Sequence, residues 1–513
     1  MKTTRREFLA LGAALAAGCT KRKPREITGS IVGAAHAMGH RVREEFPTPA
    51  TTREVPVVIC GGGMAGLSAG WKLQKAGFHD FVILELESQA GGNSRFGENR
   101  VTPYPWGAHY IPLPTTQSKA VRELFRELGV ITGEKDGKPL YDDEMLCSAP
   151  EERLFIAGKW QEGIFPRTAL PPAEYHQLQK FRDVLEGYRT LVDGRGRRAF
   201  AVPMAYSSDD PETAGLDRLS MREWLDREGY GSPRLRWWIN YCLRDDYGCT
   251  IESCSAWAAF HYFCAREIDD PEILTWPEGN GWIVKRLTKT LASKIRTNAL
   301  VGRIADGAVD VLENGDAVRY RAKHIVYAMP RFTAKHLMQI PSADFSYAPW
   351  AVANVSLDRL PDGTAWDNVF FEGDSLGYVV ATHQSLRVAP GPSVITWYKP
   401  LTGDPREERV TMLARDWASW RDEVLLDLRR AHRDIRENAS TIDVMLWGHA
   451  MIRPVPGFIF GRARREALAP VGNVRFAHSD LSGLSLFEEA QYRGVKAAEE
   501  IMAELGYRFE SSL

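Results

Sequence analysis

Apolar residues near position 60 follow a strand, helix, strand order. Residues 57–60 form an apolar run typical of a buried strand, and residues 64–76 carry apolar side chains at helical spacing. A second apolar run at 81–84 predicts another buried strand. This order predicts the α/β fold class, in which a helix connects neighbouring strands of a sheet.

Two later regions have different patterns and predict a second domain. Residues 170–270 are mainly helical by periodicity, with a capping-box pattern at Ser220 and Glu223. Residues 351–399 alternate as β-structure does, and one long helix pattern follows at 409–435. These regions interrupt the α/β pattern and indicate a mixed α+β domain.

The predicted domains are therefore discontinuous in sequence. The α/β pattern returns with a hairpin turn at Asn314-Gly315 and with an apolar strand at 474–477. We assign three segments to a Rossmann-like domain and two intervening segments to the mixed α+β domain. The boundaries are 54–115, 275–335 and 440–505 for the first domain, and 116–274 and 336–439 for the second.

The turn between the first strand and its helix carries a phosphate-binding pattern. Three glycines stand in G-x-G-x-x-G spacing, at Gly61, Gly63 and Gly66. The first glycine allows the tight turn, the second lets backbone approach a pyrophosphate, and the third lets helix and strand pack closely. A helix that begins at Met64 and Ala65 presents its N-terminus to the phosphates. Glu85 lies about 20 residues further on, where a carboxylate binds ribose hydroxyls. A dinucleotide site is therefore expected, and the alternative is a glycine-rich structural turn.

Composition excludes some classes of function. The 513 residues carry a formal net charge of −1, which gives no electrostatic footprint for nucleic acid. The clustered cysteines show no C-x-x-C pair, so no metal site is expected; these are Cys242, Cys249, Cys254 and Cys264. They are interpreted as core residues, with one disulfide as the alternative.

The N-terminal residues resemble an export signal. A twin-arginine motif, TRREFL, occupies residues 4–9, and the apolar run that follows is far shorter than the ~20 residues of a bilayer span. Residues 1–19 are therefore expected to be a signal peptide for the periplasm, and residues 20–53 a tether. Residues 16–19 also resemble a lipoprotein cleavage box, so Cys19 is either a lipid anchor or simply near an ordinary cleavage site.

Three separated motifs together resemble the flavin-dependent amine oxidase superfamily. The first is Glu85 followed by a Gly-Gly-Asn-Ser run at 91–94, with Asn93 where that family has arginine. The second joins residues 299–304 to a strand that ends at 327–330, and the third joins 474–480 to 487–490. Their order matches the family over nearly the whole mature chain.

The resemblance implies FAD as the cofactor and assigns residues to it. Gly92, Asn93 and Ser94 would be cofactor-binding residues, and the backbone of Val301 would meet the adenine. Asp480 would meet the ribityl or phosphate edge. The residues expected beneath the flavin ring are Ala108, His109 and Tyr110, and those of the helix that points at the flavin are Phe487 and Glu488.

The sequence departs from the family at the flavin face. An aromatic pair that frames the flavin in monoamine-type members is replaced by His449 and Leu486, and residues 351–357 lack the family's lysine. His449 is therefore the candidate catalytic base, since an unperturbed imidazole titrates near working pH. The alternative is a histidine bonded to a backbone carbonyl.

The helical insert of this superfamily roofs the substrate pocket. On that basis three aromatic or imidazole side chains are expected either to line the pocket or to be core, namely Tyr247, Trp257 and His261. Trp397 and Tyr398 are candidates for the pocket floor. Asp245 and Asp246 are interpreted as a solvated helix terminus, although they could instead attract a cationic amine.

The expected function is that of an exported FAD-dependent oxidoreductase. It would oxidise a small amine or amino-acid-like compound by hydride transfer, and oxygen or a membrane quinone would accept the electrons. A desaturase or isomerase of a lipid or isoprenoid is an alternative, which predicts a long apolar channel. An electron-carrying flavoprotein without its own substrate is another, which predicts an open flavin edge and no enclosed cavity.

Overall fold

The computed structural model of the chain describes residues 26–267, 272–342, 344–385 and 391–513. The predicted signal peptide and Cys19 lie outside these residues. No helix among the described residues combines the length and apolarity that a membrane crossing requires.

Helices and strands are numbered here in chain order. The strands are β1 (Ile31–Gly33), β2 (Thr51–Glu54), β3 (Val57–Cys60), β4 (Phe81–Leu84), β5 (Phe96–Glu98), β6 (Pro103–Pro105), β7 (Tyr110–Pro112), β8 (Ile131–Lys135), β9 (Lys138–Tyr141), β10 (Glu152–Ile156), β11 (Lys159–Glu162), β12 (Ile273–Thr275), β13 (Ile295–Arg296), β14 (Ala299–Ala305), β15 (Ala308–Glu313), β16 (Asp316–Arg321), β17 (His324–Tyr327), β18 (Tyr347–Leu357), β19 (Asp367–Phe370), β20 (Gly377–Val380), β21 (Ser393–Pro400), β22 (Ala439–Ile452) and β23 (Val474–Phe476). The α-helices are α1 (His36–His40), α2 (Met64–Lys75), α3 (Lys119–Glu127), α4 (Pro172–Thr190), α5 (Pro211–Gly215), α6 (Met221–Arg227), α7 (Pro233–Tyr247), α8 (Ala256–Cys264), α9 (Gly281–Thr290), α10 (Ala334–Leu337), α11 (Pro405–Ala414), α12 (Trp417–Leu428), α13 (Ile435–Asn438), α14 (Arg462–Glu466) and α15 (Phe487–Glu504).

A five-stranded parallel sheet forms the first domain, in the order β13-β4-β3-β17-β23. Its central strand β3 is completely buried, because helices cover both faces of a parallel sheet. The strands come from three distant parts of the chain, as the sequence predicts. The Rossmann-like α/β fold class is thereby confirmed.

Two helices of this domain approach each other closely. Helix α15 packs on α2, the helix that follows the glycine turn. At the contact, a Cβ atom on Gly494 would overlap the carbonyl oxygen of Ala65. Glycine at this position therefore sets how near the last helix can lie to the dinucleotide-binding helix.

A large sheet and a helical group form the second domain. The eight-stranded sheet has the order β1-β22-β18-β21-β20-β19-β10-β11. Helices α4 to α8 enclose a separate hydrophobic core, and the predicted capping box of Ser220 and Glu223 begins α6.

Two boundaries expected from the sequence differ from those in the structure. Residues 439–452 belong to this sheet as β22, and the single helix expected at 409–435 is divided into α11 and α12.

The segment expected to be a tether is folded where the structure describes it. Strand β1 pairs in parallel with β22, and β2 pairs in parallel with β16. Composition indicated a tether because the segment has few apolar residues. Backbone hydrogen bonds hold this segment against the edges of two sheets. Composition does not reveal such bonds, because every residue except proline has the same backbone donor and acceptor.

The structure tests two local predictions, namely the hairpin turn at Asn314-Gly315 and the burial of the clustered cysteines. Asn314 and Gly315 both have positive φ and join β15 to β16, as a two-residue hairpin turn requires. The six cysteines of the described residues are buried free thiols; they are Cys60, Cys147, Cys242, Cys249, Cys254 and Cys264. The clustered cysteines are core residues here, and none of those described forms a disulfide.

The close contact at Gly494 predicts a stability difference between two helical glycines. We expect Gly494→Ala to lower the free energy of unfolding by about 1–3 kcal/mol, because the methyl group forces α15 away from α2. The matched control is Gly187→Ala in α4, where a Cβ meets nothing within 4 Å. That change should stabilise by up to about 1 kcal/mol through helix propensity. Denaturant unfolding measures both, and equal effects of the two changes would contradict the packing account.

Candidate functional site

The glycine turn after β3 has the geometry that its spacing predicts. Gly61 has a φ of +105°, and a Cβ there would lie 2.6 Å from the carbonyl oxygen of Ala328. A Cβ on Gly66 would overlap the carbonyl oxygen of Gly61, whereas the Cβ position of Gly63 is open. Gly63 caps α2, so the helix N-terminus at Met64 and Ala65 faces the carboxyl edge of the sheet. The turn therefore leaves room for a phosphate where the motif places one.

Glu85 lies directly beside this turn, at the end of β4. Its Oε2 accepts a hydrogen bond of 2.8 Å from the Gly62 amide, and its Oε1 accepts one of 2.8 Å from the Glu87 amide. The side chain is buried, and burial raises the pKa of Glu85 to about 7. The start of β14 lies on the other side, because the Ala299 amide donates 2.8 Å to the Glu85 carbonyl. Val301 lies two residues beyond Ala299 on that strand.

The second glycine pair packs against the first turn. The Gly91 amide donates 2.8 Å to the Gly62 carbonyl, and both Gly91 and Gly92 have positive φ. After them, Ser94 is buried, and the Asn93 amide side chain donates to the carbonyl of Ala450 in β22. Asn93 therefore ties the dinucleotide-binding domain to the large sheet of the other domain.

A cavity of about 620 Å³ lies between the two domains, next to this region. It brings together most of the residues predicted for the flavin ring. Those from the first domain and its last helix are Asn93, Ala108, His109, Tyr110, Leu486, Phe487 and Glu488. The large sheet of the second domain supplies aromatic walls, namely Trp350, Trp366, Tyr398 and Trp447.

One side of the cavity is acidic. The Tyr110 hydroxyl donates 3.1 Å to Oδ1 of Asp246 and lies 3.5 Å from Oδ2 of Asp245. Burial raises the pKa of both carboxyls, and repulsion by Asp246 raises that of Asp245 further. Asp367 also lines the cavity; it accepts 3.4 Å from the Tyr241 hydroxyl, and burial raises its pKa well above the usual range. Asp245 and Asp246 lie at the end of α7, as expected, but they line the cavity, which fits the alternative that they attract a cationic amine.

One carboxyl of the cavity, that of Glu488, is paired with a cation. Arg266 is the only arginine or lysine among the described residues that line the cavity, and it forms a 2.7 Å ion pair with Glu488. Glu488 is 2 % exposed and lies in the first turn of α15. No group of three or more His, Cys, Asp or Glu side chains among the described residues is placed to hold a metal ion. Six carboxyls line the cavity with one cationic side chain among the described residues, and Arg266 lies near enough to lower the pKa of Asp246 as well.

Asp480 lies at the carboxyl edge of the parallel sheet rather than in the cavity. Its Oδ2 accepts 2.6 Å from the Arg331 amide and 2.6 Å from the Tyr347 hydroxyl. Burial alone would raise its pKa, but His478 and these donors lower it. The carboxylate therefore stays ionised and holds together the segments after β17 and β23.

His449 does not reach the cavity. Its ring stacks on Phe332 with centroids 3.9 Å apart, and burial together with Arg409 lowers its pKa to about 3. The reason is a bulge, because residues 448–450 of β22 lie opposite a single residue of β18. A bulge re-aims side chains, so Trp447, Ala450 and Met451 line the cavity while His449 packs on Phe332.

The imidazole that does lie in the cavity is His109. It stacks on Tyr398 with ring centroids 4.5 Å apart, and its Nδ1 is 3.2 Å from the Gly107 carbonyl. Burial lowers the pKa of His109 to about 4, so the ring is neutral at pH 7. It offers a polar edge without adding positive charge.

Of the other pocket predictions, the structure brings only Tyr398 and Leu486 to the cavity. Trp257 and His261 stack on each other in the helical core, where His261 Nε2 is 2.9 Å from the Ala201 carbonyl. Tyr247 is also in that core. Trp397 faces the opposite side of β21 from Tyr398 and donates 2.8 Å to Asp427. Alternation along a strand gives one residue of each adjacent pair to each face, and sequence could not tell which face meets the cavity.

Comparisons with known proteins agree with this architecture. The family pattern of the NAD(P)-binding Rossmann-like domain matches residues 59–128. The chain is 25% identical to the putative flavin-containing monoamine oxidase AofH of Mycobacterium tuberculosis, over 88% of this chain and 97% of that one. It is 22% identical to oxidoreductase PigB of Serratia sp. (strain ATCC 39006), over 88% of this chain and 76% of that one.

Solved structures show the same fold. Putrescine oxidase bound to putrescine aligns with a TM-score of 0.65 and 16% identity, over 88% of this chain and all of that one. Cyclohexylamine oxidase from Brevibacterium oxydans IH-35A aligns with a TM-score of 0.62 and 17% identity, with the same coverage. The resemblance to flavin-dependent amine oxidases, which the three sequence motifs indicated, is therefore confirmed along most of the chain.

Proposed function

We propose that the protein is an FAD-dependent oxidoreductase that oxidises a small cationic amine. The oxidoreductase class and FAD are supported by the dinucleotide fold and by the flavin-containing relatives. One observation carries the amine substrate: the cavity next to the cofactor site has a partly buried acidic side formed by Asp245, Asp246 and Asp367. Partly buried carboxylates that outnumber the cationic side chains favour a ligand that brings positive charge.

The residues present fit FAD. The glycine turn has an open approach at Gly63, Glu85 stands ready for the ribose, and α15 directs its N-terminus towards the cavity. Asn93 and Ala108 line the cavity where the flavin ring is expected. When bound there, FAD supplies the acceptor for a hydride from the substrate carbon.

The protein's own side chains would bind and orient the amine. The carboxylates attract the ammonium group, and the Tyr110 hydroxyl fixes the pair by donating to it. The aromatic walls add cation–π attraction and exclude water, with Trp350, Trp366 and Tyr398 at the cavity surface. A proton released by the bound ammonium can pass to Asp246 or Asp245, because burial raises the pKa of both.

The two alternative functions fit the cavity less well. A lipid or isoprenoid desaturase predicts a long apolar channel, whereas this cavity is about 620 Å³ and partly acidic. An electron carrier without a substrate predicts an open flavin edge, whereas the expected flavin edge borders this cavity. The geometry thus favours an enzyme with a small polar substrate.

We also propose export to the periplasm with the cofactor already bound. The twin-arginine motif at residues 4–9 supports this, since that pathway carries folded proteins and a bound flavin travels with its protein. Cys19 would serve as a lipid anchor if the lipoprotein box is used. Oxygen or a membrane quinone would then accept the electrons.

The first test of this function is anaerobic reduction by a panel of compounds. We expect mono- and diamines to bleach the flavin absorbance of the purified holoprotein, because the cavity binds cations. Diols of the same length are the matched neutral controls and should leave the spectrum unchanged. Bleaching by fatty acids or isoprenoids but not by amines would contradict the amine assignment.

The acidic pair predicts a pH dependence of substrate binding. Raised pKa values mean that the pair is neutral at low pH and ionised at higher pH, so KM for an amine should fall as pH rises through neutrality. Asp246→Asn should raise KM about tenfold or more, as expected for loss of a charged hydrogen bond. It should also shift the remaining transition to lower pH, because Asp245 loses the repulsion of its neighbour.

The control for this measurement is His449→Ala. His449 faces away from the cavity, so its removal should leave KM and the rate of flavin reduction within about twofold of wild type. A large loss of reduction rate in His449→Ala, together with an unchanged KM in Asp246→Asn, would restore His449 as the substrate-side group and overturn the acidic site.

A further inference from the structure

Residues 34–46 lie between two strands that belong to different sheets. They connect β1, which pairs with the large sheet, to the segment that leads into β2 on the small sheet. Both ends are therefore anchored by strand pairing. We name residues 34–46 the strap.

At one end the strap contacts the edge that binds the ribose. The Ala35 amide donates 2.8 Å to Oε1 of Glu87, two residues beyond Glu85. Gly39 packs on Leu86, since a Cβ on that glycine would lie 3.5 Å from the leucine side chain. The strap is therefore fixed at the end of β4.

At the other end the strap contacts the strand expected beside the adenine. The ring of Phe46 lies directly on Gly302 in β14, where any Cβ would overlap it. Val42 packs against the hydrophobic cluster that contains Val301. Glycine at position 302 is therefore needed for the Phe46 ring to pack against β14.

Its basic side chains approach the segment after β17. The positive charges of His40 and Arg43 are near enough to lower the pKa of His449, which stacks on Phe332. Arg43 also lowers the pKa of His336 in α10. The strap therefore reaches the far side of the sheet from Glu87.

The sheet order places the glycine turn beneath this crossing. Strand β3 lies between β4 and β17, so a segment that approaches the residues after β4 and those after β17 passes over the turn after β3. Dinucleotides bind in this crevice outside the carboxyl ends of the strands. The strap has two arginines and two histidines, together with two acids at Glu44 and Glu45, and Glu44 lies 3.5 Å from Arg41. Arg43 and His40, whose charges reach His449, are the basic groups that suit a pyrophosphate.

We propose that the strap closes over the adenosine and pyrophosphate half of the bound FAD and slows its release. The inference deepens the proposed function and rests on it for the identity of the dinucleotide. Phe46 and Ala35 act as positioning residues, because they fix the strap and do not themselves touch the reacting atoms. A cofactor retained in this way remains with the chain without a covalent bond.

The test is the rate of FAD release from the holoprotein after dilution, followed by flavin fluorescence. The double variant Phe46→Ala/Ala35→Pro removes the Gly302 contact and the donor to Glu87. We expect release at least about tenfold faster than in wild type. The rate of flavin reduction by amine in the fraction that keeps FAD should be unchanged. Val32→Ala, at an exposed residue of β1, is the matched control and should release FAD at the wild-type rate.

A second measurement uses the wild-type protein, so it tests the proposal even if the double variant does not fold. In the wild-type protein, FAD should protect residues 34–46 from limited proteolysis, compared with the apoprotein. Wild-type release rates in a folded double variant, or equal cleavage of the strap with and without FAD, would overturn the proposal while leaving FAD binding intact. A wild-type chain that does not bind FAD would instead overturn the proposed function itself.

Discussion

The close approach of backbone segments around the glycine turn is the constraint on which the rest of the structure depends. Gly66 lets α2 begin against the carbonyl of Gly61, and Gly494 lets α15 lie on α2. These contacts place the first turn of α15, with Glu488, at the cavity. If either helix moved outward, the N-termini of α2 and α15 and the carboxyl of Glu85 would no longer converge on one dinucleotide site.

The second physical feature is the asymmetry of charge within the cavity. Arg266 pairs with Glu488, and Asp245, Asp246 and Asp367 add carboxyls that outnumber the cationic side chains of the cavity. Burial makes their ionisation costly, so a cationic ligand gains by restoring the charged form. His109, which stacks on Tyr398, is neutral and therefore adds no positive charge to the cavity. In the proposed function, one domain would hold the dinucleotide and the other would supply the charge that selects the substrate.

The parts of this account that sequence predicted are those set by local rules. Glycine spacing, strand runs and the Asn314-Gly315 turn each depend on a few neighbouring residues, and the structure has them where expected. His449 is not among the residues that line the cavity, because a bulge in β22 changes which side chains face it, and the sequence pattern did not reveal that bulge. The acidic side combines α7 with β19, more than 100 residues apart, so only the fold reveals it. Strand pairing of residues 26–54 was missed for the same reason.

The central claim is that three distant stretches of the chain converge on one FAD. The most direct measurement is the visible absorbance and flavin content of the purified full chain, repeated after unfolding and reconstitution with FAD. The account predicts a yellow protein with one FAD per chain, which is recovered on reconstitution. A colourless protein that does not take up FAD would contradict it.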